Sequence, residues 1–450
     1  MSPASKLEPD FSLRKLRIAG ICLMGQLFGS SMLIVGPLAM MMLPMTQEFG
    51  WTRSQFSYST AAVMWAGALA SPILGRLIDR RGVRPVVLTG SGVLGLLSLA
   101  LAHQTANLWL FCLLFAMVGV FGTIAIGYGK VMGSLFIKHR GKAMAAVAAF
   151  SPIIASVFPQ ISNQLLLAFG WRGIFTAYGI VILVVAVLLY FLLEEPASSF
   201  GRHVLPGPAA GQDESKTASV APEMEGMTAA EALRGRTLWI LMGSGLVAGI
   251  LGAGWSQHSF AFQLSRGFSQ QTVVNALSVS LLIAPAAIML GGWLVDKVQT
   301  AKVYVPFALM AALSVYFQSI VWANHGGIPL LLVSVTLSTM AMNAHMPMAG
   351  YFYTRFFGMK AYGEIAGINM AVLSLVAGVS APLVGILYEH TGSYDLALLG
   401  MTVGYVLSAL LYLAIGRYRY TTDFKTMAVP EKAAKPLPVE ASCQLATKSE

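Results

Sequence analysis

The chain has 450 residues, of which 56% are hydrophobic and only 11% charged, with a mean hydropathy of +0.70. A water-soluble globule carries about 25% charged residues, so this composition excludes one and points to a chain that meets lipid along most of its length. The net charge of +10 would suggest a nucleic-acid partner in a soluble protein; spread between apolar runs it speaks of membrane topology, and no nucleic acid is expected. Three cysteines (Cys22, Cys112, Cys443) show no paired spacing, so no disulfide framework, metal site or cofactor is expected.

In chain order, a polar N-terminal tail (1–17) precedes an apolar run that continues to about Met45. That run is too long for the core of a signal peptide and reads as an uncleaved first span. Apolar stretches between charged or turn-rich breaks predict six spans in an N-terminal bundle (18–195), near 18–45, 55–78, 85–103, 107–136, 142–168 and 172–193. Residues 196–236, rich in Pro, Gly, Ala, Ser and Glu, read as a polar cytoplasmic linker. Near its end Thr228-Ala-Ala-Glu231 has the form of a capping box before a short helix. A second bundle (237–417) follows, with spans near 237–265, 271–295, 303–323, 328–355, 363–388 and 395–416, and then a polar cytoplasmic tail (418–450).

The positive-inside rule orients this series. With the N-terminus inside, all but four of the 29 Lys and Arg fall on the cytoplasmic side; Arg53, Arg172 and Arg266 lie outside and Lys130 lies within a span. Both termini are therefore expected in the cytoplasm of a multi-pass protein of the cell's inner membrane.

Between spans 2 and 3 lies Gly75-Arg-Leu-Ile-Asp79-Arg80-Arg81-Gly82-Val83-Arg84-Pro85, four arginines and an aspartate in one turn. A weaker copy, Gly292-Trp-Leu-Val-Asp296-Lys297, stands 217 residues later, and the same offset carries Gly50-Trp51 onto Gly267-Phe268. At offset 222, Arg140-Gly141 and Gly170-Trp171 find echoes at Tyr362-Gly363 and Gly392-Ser393. Two parallel six-span repeats joined by a long cytoplasmic loop match a known transporter plan. On these motifs the chain resembles the major facilitator superfamily, whose signature G-x-L-x-D-R-x-G-x-R it matches at every fixed position. The fold expected is an all-α membrane protein of twelve transmembrane helices in two pseudo-symmetric six-helix bundles. A narrower resemblance to the monocarboxylate-transporter branch rests on Glu48-Phe-Gly-Trp-Thr-Arg-Ser-Gln55, Phe136-Ile-Lys138-His-Arg140-Gly141-Lys-Ala143 and Phe169-Gly-Trp-Arg172-Gly173. Animal members place a lysine in span 1 and an Asp/Arg pair in span 8; here Leu38 stands at the first place and span 8 (Leu281-Leu-Ile-Ala-Pro285) carries no charge. The resemblance thus implies the fold and a carboxylate, but neither lactate nor that coupling chemistry.

For the charged turn, simple anchoring of arginines at lipid headgroups competes with a conformational latch, strengthened by the resemblance. Gly75, Asp79, Arg80, Gly82, Arg84 and, in the second half, Asp296 would form it, with Asp79 meeting basic residues and the N-terminal dipole of span 11 when the carrier faces outward.

An ionisable group inside a span costs a few kcal/mol and calls for a reason. Lys130 either snorkels towards the cytoplasm or offers a cavity cation to an anionic substrate, with Gly127, Tyr128 and Gly129 beside it. Spans 1, 4, 7 and 10 line the central cavity in the family, and Gln26, Lys130, His258 and His345 fall one on each. Asn343, Trp255 and Tyr128 complete the candidate substrate site; each histidine is equally a packing residue. Gln160, Asn163, Gln164 and Asn369 read as hydrogen-bonding joints between helices. No carboxylate lies deep in a span and no phosphate-binding glycine loop is present, so ATP drive is not expected. Proton coupling stays open between a histidine-borne proton, a proton carried by the substrate, and uniport.

The expected activity is secondary transport of a small organic anion, a monocarboxylate first, by alternating access, in a monomer working in the lipid bilayer. A proton-driven exporter of an amphipathic compound and a non-transporting membrane sensor are the alternatives. No nucleophile or metal grouping at membrane depth suggests an enzyme.

Overall fold

The computed structural model of the chain describes residues 12–34, 37–135, 149–193, 226–324 and 326–420. The basic motif at 136–143, most of the linker (194–225) and the tail from 421 lie outside the described residues, as do 1–11.

Eleven helices among the described residues are long and apolar enough to cross a membrane. The difference from twelve lies in one of them. Ala149–Leu192 runs 44 residues, about 66 Å at 1.5 Å per residue and twice the hydrocarbon thickness. At Gly170 the backbone leaves the helix (φ 66°, ψ −174°), so this helix holds spans 5 and 6. The predicted turn at Gly170-Trp171 is a one-residue hinge rather than a loop, because a glycine alone absorbs the reversal.

The remaining spans are Leu13–Phe49, Arg53–Arg81, Val83–Ala102 and Leu108–Met132 in the first half. In the second they are Arg236–Ser265, Gln270–Lys297, Ala301–Ile320, Gly327–Phe357, Tyr362–Thr391 and Asp395–Leu413. Local chemistry sets their ends. Span 1 starts five residues earlier than its apolar run because Ser12 caps it. Span 2 starts at a capping box of Thr52 and Gln55 and stops at Gly82, φ 89°. The repeat is visible in the backbone: Gly50 and Gly267, at offset 217, both take positive φ (68° and 86°). Gly82 has Gln299 at that offset. Without a glycine the second hairpin cannot make the same turn, and it passes through a 3₁₀ turn at Ala301–Tyr304 instead.

Spans 1 and 4 are interrupted near their middles. Span 1 loses helical geometry at Phe28 and Gly29. Span 4 breaks between Leu108–Gly122 and Ala125–Leu135. The two breaks touch: a Cβ on Gly122 would lie 2.8 Å from Ser30 Oγ. Irregular backbone at this depth is tolerated only where protein or a water-filled cavity covers it.

Spans 2 and 4, and 3 and 6, pack within the first half; spans 8 and 10, and 9 and 12, do so within the second. The halves meet through span 2 on 11, span 5 on 8 and span 1 on 7. The linker's end forms the helix Ala229–Arg234 with its capping box in place: the Thr228 amide donates to Glu231 Oε2 at 2.8 Å and Thr228 Oγ1 accepts from the Glu231 amide at 3.3 Å. The hydrogen bond from the Thr228 backbone, then that with its hydroxyl, hold the Glu231 carboxyl below the usual carboxylate range. This segment docks on span 10, where the Met227 amide donates to Phe357 O at 2.8 Å. After span 12, the amides of Arg419 and Tyr420 both donate to Arg355 O.

Candidate functional site

Side-chain hydrogen bonds that join the halves gather in the part of the molecule carrying Gly50, Gly170, Gly267 and Gly392. On the span 2/7/11 side, the Ser54 amide and hydroxyl donate to Glu389 at 2.8 and 3.0 Å. The Arg53 guanidinium lies 3.7 Å over the Tyr388 ring and donates to the Tyr394 hydroxyl. Thr60 donates to Gln257, and Trp65 Nε1 donates to Leu375 O at 3.2 Å. At the centre His258 is wholly enclosed. Its Nε2 lies 2.9 Å from Ala381 O and 3.2 Å from Ser57 Oγ, and its Nδ1 lies 3.2 Å from the Tyr394 hydroxyl.

Close backbone approach makes these bonds possible. A Cβ on Gly385 would fall 2.7 Å from the Ser54 backbone, and one on Gly378 would fall within the Trp65 ring's edge. Gly385→Val should therefore hold spans 2 and 11 apart at this end while each half keeps its own core. The expected result is a correctly inserted protein whose transport is at least about tenfold reduced, in line with overpacking costs of 1–3 kcal/mol; wild-type uptake would contradict it.

On the span 5/8 side the joint is made of uncharged groups. Gln160 donates to Asn275 and Ser278, Asn163 to Gln271, Gln270 to Asn163, and Gln271 to Gln160, at 2.6–3.2 Å. Gln160 and Asn163 thus act as the helix joints expected of them. The sequence did not show that they join the two halves.

The opposite end holds the signature turn. In this state, joined at the other end, Asp79 accepts from Lys130 Nζ at 2.8 Å, inside the first half; its meeting with span 11 is expected when the carrier faces outward. Lys130 lies on the segment of span 4 after the break, Ala125–Leu135, and the pair meets solvent, with Lys130 30% and Asp79 67% exposed. Arg84 donates to Tyr190 O at 2.6 Å and lies over that ring, tying the turn to span 6. Gly75 and Arg80 sit on span 2 before the Gly82 stop. In the second half Asp296 is exposed and Lys297 caps the Trp293 ring at 4.8 Å.

The other predicted ligands are not brought together. Gln26 is exposed two residues before the span 1 break, whereas Tyr128 is buried with its ring against Gly25. Trp255 donates to Gln318 on span 9 at 2.9 Å and packs edge-on against Tyr394, the phenol that Arg53 and His258 also meet. His345 lies against the Tyr304 ring at 4.7 Å, facing spans 9 and 12. Asn343 donates to Thr339 O on its own helix. Of the substrate candidates, only His258 stands where the halves meet. Sequence reading passed over Arg53, Ser54, Tyr388, Glu389 and Tyr394; Arg53 and Glu389 were visible as charges at span ends, but their partners lie more than 330 residues away. A hollow of about 530 Å³ on the same face is lined by Arg266, Trp322 and Asn324, and its cation is already engaged by Asp395 at 2.7 Å.

Two six-span bundles that meet through spans 2 and 11, 5 and 8, and 1 and 7 have the architecture of a membrane transporter. Residues 20–317 match the sequence profile described as Major Facilitator Superfamily. The chain belongs to that superfamily. It is 28% identical to monocarboxylate transporter 2 of Rattus norvegicus over 179 residues, 38% of this chain and 33% of that protein, so the likeness spans a third of the rat protein's length. Human monocarboxylate transporter 11 is 26% identical over 80% of this chain and 74% of its own. The multidrug transporter MdfA of Edwardsiella piscicida is 27% identical over 75% of this chain and 85% of its own. Among solved structures, a bacterial homolog of the human lysosomal transporter Spinster, described as inward-facing and unoccupied, superposes with a TM-score of 0.62 at 16% identity. That match covers 90% of this chain and 95% of the other.

Proposed function

We propose that this protein carries a small organic anion, a monocarboxylate in the first instance, across the inner membrane by alternating access, as a monomer and with proton coupling. The observation that carries this is Lys130, whose ammonium already holds a carboxylate, that of Asp79, at 2.8 Å. Because both partners are solvent-exposed, the pair is worth about 0–1 kcal/mol, and a substrate carboxylate can take Asp79's place at little cost. With both termini in the cytoplasm, the joined end faces outward and the Asp79–Lys130 end faces the cytoplasm. The likeness to monocarboxylate transporters supports the anion. The likeness to MdfA over three quarters of the chain favours a second reading, export of an amphipathic compound.

Vesicles containing the purified protein decide between them. A panel of carboxylates is expected to be taken up, with the rate rising when an inward proton gradient is imposed, while lipophilic dyes are not extruded. Dye extrusion without carboxylate uptake would replace the first reading by the second.

A further inference from the structure

The partners of His258 fix where its hydrogen is. Ala381 O can only accept, so Nε2 carries the hydrogen; Ser57 Oγ gives its own hydrogen to Arg53 O at 2.8 Å and offers Nε2 a lone pair. Nδ1 is then a bare acceptor facing the Tyr394 hydroxyl. That hydroxyl accepts from Arg53, leaving its own hydrogen for Nδ1. Donors therefore run one way, from Arg53 on span 2 to Tyr394 in the span 11–12 turn, to His258 on span 7, to Ala381 on span 11. Every link crosses between helices, and the first joins the two halves.

A second proton on the ring reverses this chain in the middle. The imidazolium has two N–H donors and no acceptor. The Nδ1 hydrogen and the Arg53 guanidinium would then both point at one phenol oxygen, whose own hydrogen has lost its acceptor. The groups facing the ring from each packed element are Arg53 from span 2, Glu389 and Tyr388 from span 11, and Tyr394 from the following turn; from span 7 itself the neighbouring polar group is Gln257, held by Thr60. Glu389, held by Ser54, eases the added charge, and the Arg53 guanidinium opposes it. On the span 5/8 side the joint is built of amides and a serine, none of which titrates between pH 5 and 8.

We propose that His258 is the proton site of this carrier and a latch for the outward end: a proton on Nδ1 unlocks span 2 from spans 7 and 11, and its loss lets them lock. The outward end then opens on the span 2/11 side, with the amide joint between spans 5 and 8 as the pivot. This deepens the alternating-access reading and rests on it for its direction; acid outside favours the state open to the outside.

The test reads distances and needs no substrate. Spin labels are placed on Thr105→Cys in the first half and Leu396→Cys in the second, both exposed on this face, with Cys112 and Cys443 replaced by serine. In lipid nanodiscs the short-distance population should dominate at pH 8 and fall about tenfold relative to the long one at pH 5, as a titrating latch requires. His258→Gln, which keeps a neutral donor and acceptor, should give one distribution at both pH values. Gln271→Ala should shift the distribution equally at both. Wild-type distances that ignore pH, or a full pH response in His258→Gln, overturn the proposal. If His258→Gln does not insert, Tyr394→Phe replaces it, and an undiminished pH response there is equally fatal. Because no anion is present, absence of carboxylate uptake would sink the substrate reading and leave the latch standing, and the converse holds.

Discussion

Gly254→Val should leave almost no folded protein, whereas Gly92→Ala should be indistinguishable from wild type. A Cβ on Gly254 would fall 2.2 Å from the Ala381 amide nitrogen, 2.4 Å from Ala381 Cα and 2.5 Å from the Ser380 carbonyl carbon. All three are backbone atoms, so no rotamer change relieves the clash and spans 7 and 11 must separate along their contact. The Gly254 amide also donates to Ser380 Oγ at 2.7 Å, and His258 meets Ala381 O one turn further on. Inside lipid there is no solvent to drive helices together, so close van der Waals fit and interhelical hydrogen bonds carry the association. Losing both at one seam goes beyond the usual overpacking cost of about 1–3 kcal/mol. It removes a large share of a stability that totals only about 5–15 kcal/mol. Gly92 has nothing within 4 Å of its Cβ direction, and alanine favours the helix slightly. Size-exclusion profiles and thermal melts in detergent check both; a Gly254→Val protein melting within a few degrees of wild type would show that the seam is not tight.

The same seam shows what the amino-acid order made legible and what it did not. Apolar runs, charge asymmetry and the 217-residue repeat were enough for twelve spans, two bundles and the place of the signature turn, because each is a local or periodic property. Helix rotation is not. Span 7 carries no charge beyond Arg236 at its start, and its polar groups, from Ser244 to Gln257, His258 and Gln263, do not gather into one stripe, so nothing in it says which face meets which neighbour. Trp255 and His258 stand one turn apart and share Tyr394, yet the first bonds to Gln318 on span 9 and the second is enclosed between spans 2 and 11. Arg53 and Glu389 are likewise visible only as edge charges; the partners each finds across the joined end depend on how two half-molecules dock, a relation that no spacing within either half encodes. Lys130 was recognisable as a charge that needs a partner. Its pairing with Asp79, 51 residues away at the end of span 2, depends on how spans 2 and 4 pack, which no spacing within either span encodes.

Alternating access would close water off from a substrate carboxylate held by Lys130, unlike the solvent-exposed pair with Asp79. Lys130→Ala should therefore lower carboxylate uptake by about 30-fold or more, the 2–5 kcal/mol that truncating one partner of a buried charge pair costs. Lys130→Arg, which keeps the charge, should retain much of the rate. Asp79→Asn should behave differently from either. In the state seen here, Asp79 occupies the ammonium, so on the proposed import of a carboxylate it would compete for Lys130 on the side where substrate leaves. Removing its charge takes away the competitor: the half-saturating substrate concentration should fall and the maximal rate should fall with it, because release becomes slow. If Lys130 merely snorkelled to the headgroups, Asp79→Asn would leave substrate affinity unchanged and Lys130→Ala would alter membrane insertion rather than transport. Initial rates against substrate concentration, normalised to inserted protein, separate the two: uptake by Lys130→Ala at the wild-type rate ends the anion-binding role of this lysine. An unchanged half-saturation in Asp79→Asn ends the competition, even where Lys130 remains essential.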